Sequence, residues 1–167
     1  MDMERPTRGE KIIVACGAVL LITSWLPLWA KYEYRDGADR IFGPSRTNAW
    51  SDAFTVVPKS ALVLVLLVLG AVLVRVVVRA SLPWPPGRIY VLGGAVAAAL
   101  LLLTALVGPN EFGYASLPGF DISRGPMLLV AWALGAGIAY GGWLHVRESD
   151  PHGVGSAYPP RGPVVLR

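Results

Sequence analysis

The sequence predicts an all-α membrane protein: a four-transmembrane-helix bundle under a small extracytoplasmic cap, itself a short β-hairpin and an interfacial helix. Three observations predict it. Four long apolar runs, Ile12–Ala30, Ala61–Val78, Ile89–Val107 and Met127–Val146, are separated by three polar breaks, and only Arg75 interrupts them. Each run is long enough to cross a hydrocarbon core of about 30 Å as a helix. The hydrophobic fraction of 54% and mean hydropathy of +0.52 exceed what soluble domains usually show. Finally, Phe42, Phe54, Phe112 and Phe120, all the phenylalanines of the chain, fall in the two breaks assigned to one face, with Tyr32, Tyr34, Trp50 and Tyr114. Loops bathed in water do not collect eight rings unless something covers them.

The first helix is expected over about residues 11–30, with Trp25 and Trp29 as headgroup anchors at its outer end. Pro27 would break its last turn, and the hydroxyls of Thr23 and Ser24 are placed to satisfy the carbonyls so freed. No small-x-small cleavage site follows this run, which argues against a removable signal. In the first outer loop, Lys31–Arg35 alternates as a strand, Asp36-Gly37 offers a turn, and Arg40–Phe42 is expected to return as the second strand. Asn48 is an expected N-cap for a short helix, Ala49–Thr55, with Trp50 and Phe54 on one side.

The second helix is expected over about 59–79, with Pro58 at its start; the third spans about 88–108 and the fourth about 126–146. Tyr90 and Trp143 are expected as anchors at inner helix ends. In the second outer loop, Phe112 and Tyr114 alternate, Pro118-Gly119 marks a turn, and Phe120 and Ile122 alternate again. Residues 1–147 are read as a single domain. Residues 148–167, rich in Pro and Gly, are read as a disordered cytoplasmic tail.

Charge sets the expected orientation. Arg5, Arg8, Lys11, Arg75, Arg79, Arg88, Arg147, Arg161 and Arg167, nine in all, fall on one side; Lys31, Arg35, Arg40, Arg46, Lys59 and Arg124, six, fall on the other. The richer side should be cytoplasmic, with both termini there, in a multi-pass protein of the cell membrane. The net charge of +4 does not point to nucleic acid, because the basic residues lie at helix ends rather than on one face. Arg75, one turn before Arg79, is close enough to its helix end to snorkel; with Arg79 and Arg88 it forms a candidate lipid-headgroup site.

Helices in lipid approach through small residues. Ala133, Gly137 and Gly141 are the candidate packing positions of the fourth helix, and Ala131, Gly135 and Ala139 form a parallel ridge. The third helix answers with Gly93, Gly94, Ala97 and Ala98. Gly137-x-x-x-Gly141 also admits a homo-oligomer.

The chemistry missing from the pattern is as informative. No Asp or Glu lies inside an apolar run, which argues against ion-coupled transport. The single cysteine, Cys16, excludes dithiol exchange. His145 and His152 cannot ligate haem across the bundle, and no metal cluster, phosphate loop or nucleophile elbow is recognisable. No catalytic residue, cofactor or metal is therefore expected.

The stretch Ser24-Trp25-Leu26-Pro27-Leu28-Trp29, followed by Asn48-Ala49-Trp50-Ser51-Asp52-Ala53-Phe54, resembles a pattern in a family of four-helix integral membrane proteins of actinobacteria. There a Leu-Pro-Trp-like helix end precedes an Ala-Trp-x-x-x-Phe segment; here Leu28 separates Pro27 from Trp29. The resemblance implies the four-helix fold and carries no activity. The layout of four helices with a small outer sheet also resembles claudins, without their paired outer cysteines.

Taken from the sequence, the expected function is that of a non-enzymatic accessory or structural subunit. Its interaction surface would be Trp50, Phe54, Phe112, Tyr114 and Phe120, and its partners the bilayer and a second membrane protein or another copy. The alternative is a small oligomeric transporter, channel or lipid-handling protein.

Overall fold

The computed structural model describes residues 6–34, 45–51, 54, 56–78, 85–108 and 120–149. These form four helices and a small antiparallel sheet. The helices are α1 (Arg8–Ser24), α2 (Val56–Leu73, continued by a π-helical turn, Val74–Val78), α3 (Pro86–Val107) and α4 (Met127–Ser149). The strands are β1 (Ala30–Tyr34), β2 (Ser45–Thr47) and β3 (Phe120–Arg124), in the order β2-β1-β3. Consecutive helices alternate in direction, so the starts of α1 and α3 meet the ends of α2 and α4 opposite the sheet. Val56–Val78, Pro86–Val107 and Met127–Ser149 are each long and apolar enough to cross a membrane. With 17 residues, α1 is shorter, about 25 Å at 1.5 Å per residue.

The first helix differs from its expected 11–30 span at both ends. It begins at Arg8 because Thr7 and Glu10 form a reciprocal capping box ahead of the apolar run. It ends at Ser24 because two hydroxyls turn back on the helix: Thr23 Oγ1 donates to the Val19 carbonyl at 2.8 Å, and Ser24 Oγ to that of Leu21 at 2.7 Å. Pro27 therefore lies beyond the helix and does not kink it. Trp29 is not an anchor in the headgroups. It is fully buried, and its Nε1 donates to the Thr23 carbonyl at 2.8 Å. Tyr90, also expected as an anchor, is fully buried, whereas Trp25 is 67% exposed.

The sheet joins both long loops: the antiparallel β1–β2 pair lies within the first, as expected of a hairpin but with Ser45–Thr47 as the described return, and β3 comes from the second. β1 pairs with Ser45–Thr47 on one side, in the register Lys31 opposite Arg46. On the other it pairs with β3, with Tyr32 opposite Ile122. The expected return strand Arg40–Phe42 lies outside the described residues. Two further bonds extend this: Trp29 N–H to the Thr47 carbonyl (3.1 Å) ties the exit of α1 to β2, and Gly125 N–H to the Trp29 carbonyl (2.9 Å) ties it to the entrance of α4. Gly125 is required there, because a Cβ would run into the carbonyls of Leu28 and Trp29.

The expected interfacial helix after Asn48 is a turn among the described residues. Asn48 Oδ1 accepts from the Trp50 N–H at 3.1 Å, and the chain then bends at Ser51 and Phe54. Trp29 meets Phe54 edge to face at 6.2 Å, and Ala49, Phe54, Trp29 and Leu128 join the core beneath the sheet.

Small residues set the helix seams. The α3–α4 interface is the most extensive, followed by α1–α4 and α2–α3, with α1–α2 sparsest. Gly94 lies against Ala139, Gly135 against Ala98, and Gly142 against Tyr90 and Val91. Gly137 and Gly141 face α1 instead, against Cys16 and against Gly9 and Ile13; Ala133 points outward and is exposed. The helix α4 continues through Ser149, into the stretch expected as tail; residues 150–167 lie outside the described residues.

Candidate functional site

Opposite the sheet, each helix brings one polar side chain to a common point. α1 supplies Glu10, from the first turn that the capping box sets. α2 supplies Arg75, from the π-helical turn that interrupts its regular spacing. α3 supplies Tyr90, and α4 supplies His145. Glu10 is 2% exposed, His145 1% and Tyr90 0%. Wide π turns of this kind recur at functional sites because they re-aim a side chain.

The bonds form a closed set. Arg75 Nη1 donates to Glu10 Oε1 at 2.7 Å and stands 2.7 Å from His145 Nε2. A guanidinium nitrogen can only donate, so Nε2 accepts and the ring proton sits on Nδ1. That Nδ1–H donates to Thr7 Oγ1 at 2.9 Å. Thr7 Oγ1 in turn accepts from the Glu10 N–H at 3.2 Å and donates to Glu10 Oε2 at 3.4 Å. The Thr7 N–H reaches the same carboxylate oxygen at 3.0 Å. Glu10 thus caps its own helix and neutralises a cation from another. Tyr90 packs its ring edge on His145 at 5.2 Å, and its buried hydroxyl has no hydrogen-bond partner among the described residues.

Ser149 Oγ lies 3.4 Å from His145 Nε2, and Glu10 Oε1 lies 4.0 Å from Nδ1, an order that resembles a catalytic triad. The resemblance stops at the bonds. Nε2 is held by Arg75 and Nδ1 by Thr7, so the imidazole has no free nitrogen with which to act as a base.

Beside the cluster, α1 and α2 diverge into an apolar groove of about 740 Å³. Val14, Ala15 and Ala18 form one wall and Leu66, Leu69 and Val76 the other; Glu10 and Lys11 stand on the α1 wall where it reaches the cluster end. Leu69 closes on Gly17 deeper in the bundle. At Gly70, which also lines the groove, an added Cβ would meet nothing within 4 Å.

The positions singled out from the sequence are distributed differently. Arg75 does not snorkel outward; it is turned inward onto Glu10 and His145, with its side chain 28% exposed. Arg88 is exposed, and Arg79 lies outside the described residues. Of the aromatic cap, Phe54 is buried and Trp50 is half-buried, its Nε1 donating to Ser24 Oγ at 2.9 Å. Phe120 lies on β3, paired with Tyr34, and Phe112 and Tyr114 lie outside the described residues. Glu10 was not anticipated, although Thr7-x-x-Glu10 before an apolar run is a capping-box signature that marks it. No family model matches this chain, and no curated protein matches it.

Proposed function

We propose that this chain is a non-enzymatic, four-span integral membrane protein that holds a membrane lipid in the lateral groove between α1 and α2. In this reading α1 is the fourth crossing, completed by the segment down to Trp29, and the cluster end faces the cytoplasm with both termini. The groove carries the proposal. It is apolar along its length, opens sideways at the sparsest helix seam, and has a charged rim at one end only.

Length favours a lipid over a partner helix. The groove follows α1 from its first turn to Ala18, with Pro6 just ahead of the helix, about 15 Å at 1.5 Å per residue over Arg8–Ala18. That is close to one leaflet of a hydrocarbon core of about 30 Å, and too short for a spanning helix. An accessory role through the outer aromatics remains a second reading, supported by Trp25, which is 67% exposed and lies 5.9 Å from Trp50.

A photoreactive side chain in place of Ala15, activated in native membranes, tests the groove. Lipid adducts are expected; protein adducts at that position would refute the reading. Labelling of single cysteines at Arg8 and Ser123 in a Cys16→Ser background tests the crossings. Opposite-side labelling is expected, and same-side labelling would remove the fourth span.

A further inference from the structure

The groove has a rim as well as walls, and the rim selects among lipids. Its cations are unequally matched. Glu10, the acid that lines the groove, is already held by Arg75. Arg75 makes that contact, and the one to His145, through Nη1 alone. Its side chain is 28% exposed. Lys11, which lines the groove, and Arg8, one helical turn before it, are exposed and form no ion pair among the described residues. The exposed acid at this end among the described residues is Glu148, which accepts from the Gly9 N–H at 3.5 Å. The rim is therefore basic with its internal acid neutralised, directly beside a leaflet-deep apolar slot.

We infer that the α1–α2 groove takes one anionic phospholipid, its acyl chain along Val14, Ala18 and Leu66 and its phosphate at Lys11, where the lining acid Glu10 is already neutralised by Arg75. This rests on the lipid reading above and adds the headgroup class. Lys11, on a flexible stem, supplies a point charge that follows the headgroup. A zwitterionic lipid brings its own cation to the same rim and gains less.

The test uses the full chain reconstituted in nanodiscs of phosphatidylcholine alone, or of phosphatidylcholine with phosphatidylglycerol at a 7:3 ratio, released for native mass spectrometry. One retained phosphatidylglycerol is expected from the mixture, enriched over its share of the bilayer. Lys11→Gln should cut that enrichment about fivefold, the loss of one cation near an anionic surface. Gly70→Leu, which fills open groove space, should abolish retention of either lipid while the protein stays folded by circular dichroism. Inorganic phosphate added in excess should not displace the lipid, because it cannot occupy the apolar walls. Equal retention of both lipids overturns the headgroup assignment and leaves the groove reading standing. No retained lipid from either bilayer overturns both, and displacement by phosphate alone assigns the rim to a free anion instead.

Discussion

The two ends of the bundle are held by opposite means. At the sheet end the fasteners are backbone hydrogen bonds and neutral rings: β1 between β2 and β3, the Trp29 indole on the Thr23 carbonyl, and Phe54 against Trp29. At the cluster end the fasteners are side chains built around one ion pair, Glu10 with Arg75, to which α4 adds a neutral His145 and α3 the ring of Tyr90. A neutral, backbone-bonded end tolerates loss of one hydrogen bond. A charged end does not tolerate loss of one partner, because the other is left buried and uncompensated. The groove lies on the charged side, where α1 and α2 are joined by the Glu10–Arg75 pair and little else.

Substitutions sharpen that contrast. The largest effect is expected at the sheet end from Trp29→Ala, which removes a fully buried indole; about 4 kcal/mol should be lost in reversible unfolding in mixed micelles. Next comes Glu10→Ala at about 3 kcal/mol, since it strands Arg75 and strips the α1 cap together. If Glu10→Ala is silent, the cluster is not a fastener and the contrast between the ends fails. Trp50→Phe removes only the bond to Ser24 Oγ and should cost about 1 kcal/mol by the same measurement. Tyr90→Phe is expected to cost nothing, because the hydroxyl it deletes has no partner among the described residues. A loss comparable to Trp50→Phe would show that this hydroxyl is bonded after all.

Legibility in the sequence followed the same division. The four helices stand out because lipid demands long, continuous apolar runs, and those runs survive in α2, α3 and α4. The first helix was misplaced because its apolar pattern runs on through Ala30, while hydroxyl back-bonds at Thr23 and Ser24 stop the helix six residues earlier. Alternation at Tyr32–Tyr34 and Phe120–Ile122 marked both strands. It could not say that they pair with each other, since pairing between loops has no local signal. The cluster was the least legible part. Glu10, Arg75, Tyr90 and His145 are scattered along the chain, and only helix direction brings them to one end. Arg75 looked like a snorkelling residue because the π turn that redirects it leaves no mark in a run of valines.

The most direct test compares bound lipid in wild type and Gly70→Leu, both purified from the same membranes and matched for melting temperature. Gly70 is the informative site because it lines the groove and a Cβ added there meets nothing within 4 Å. The account predicts one tightly retained lipid per wild-type chain and none per variant. Equal lipid content in the two proteins would contradict it.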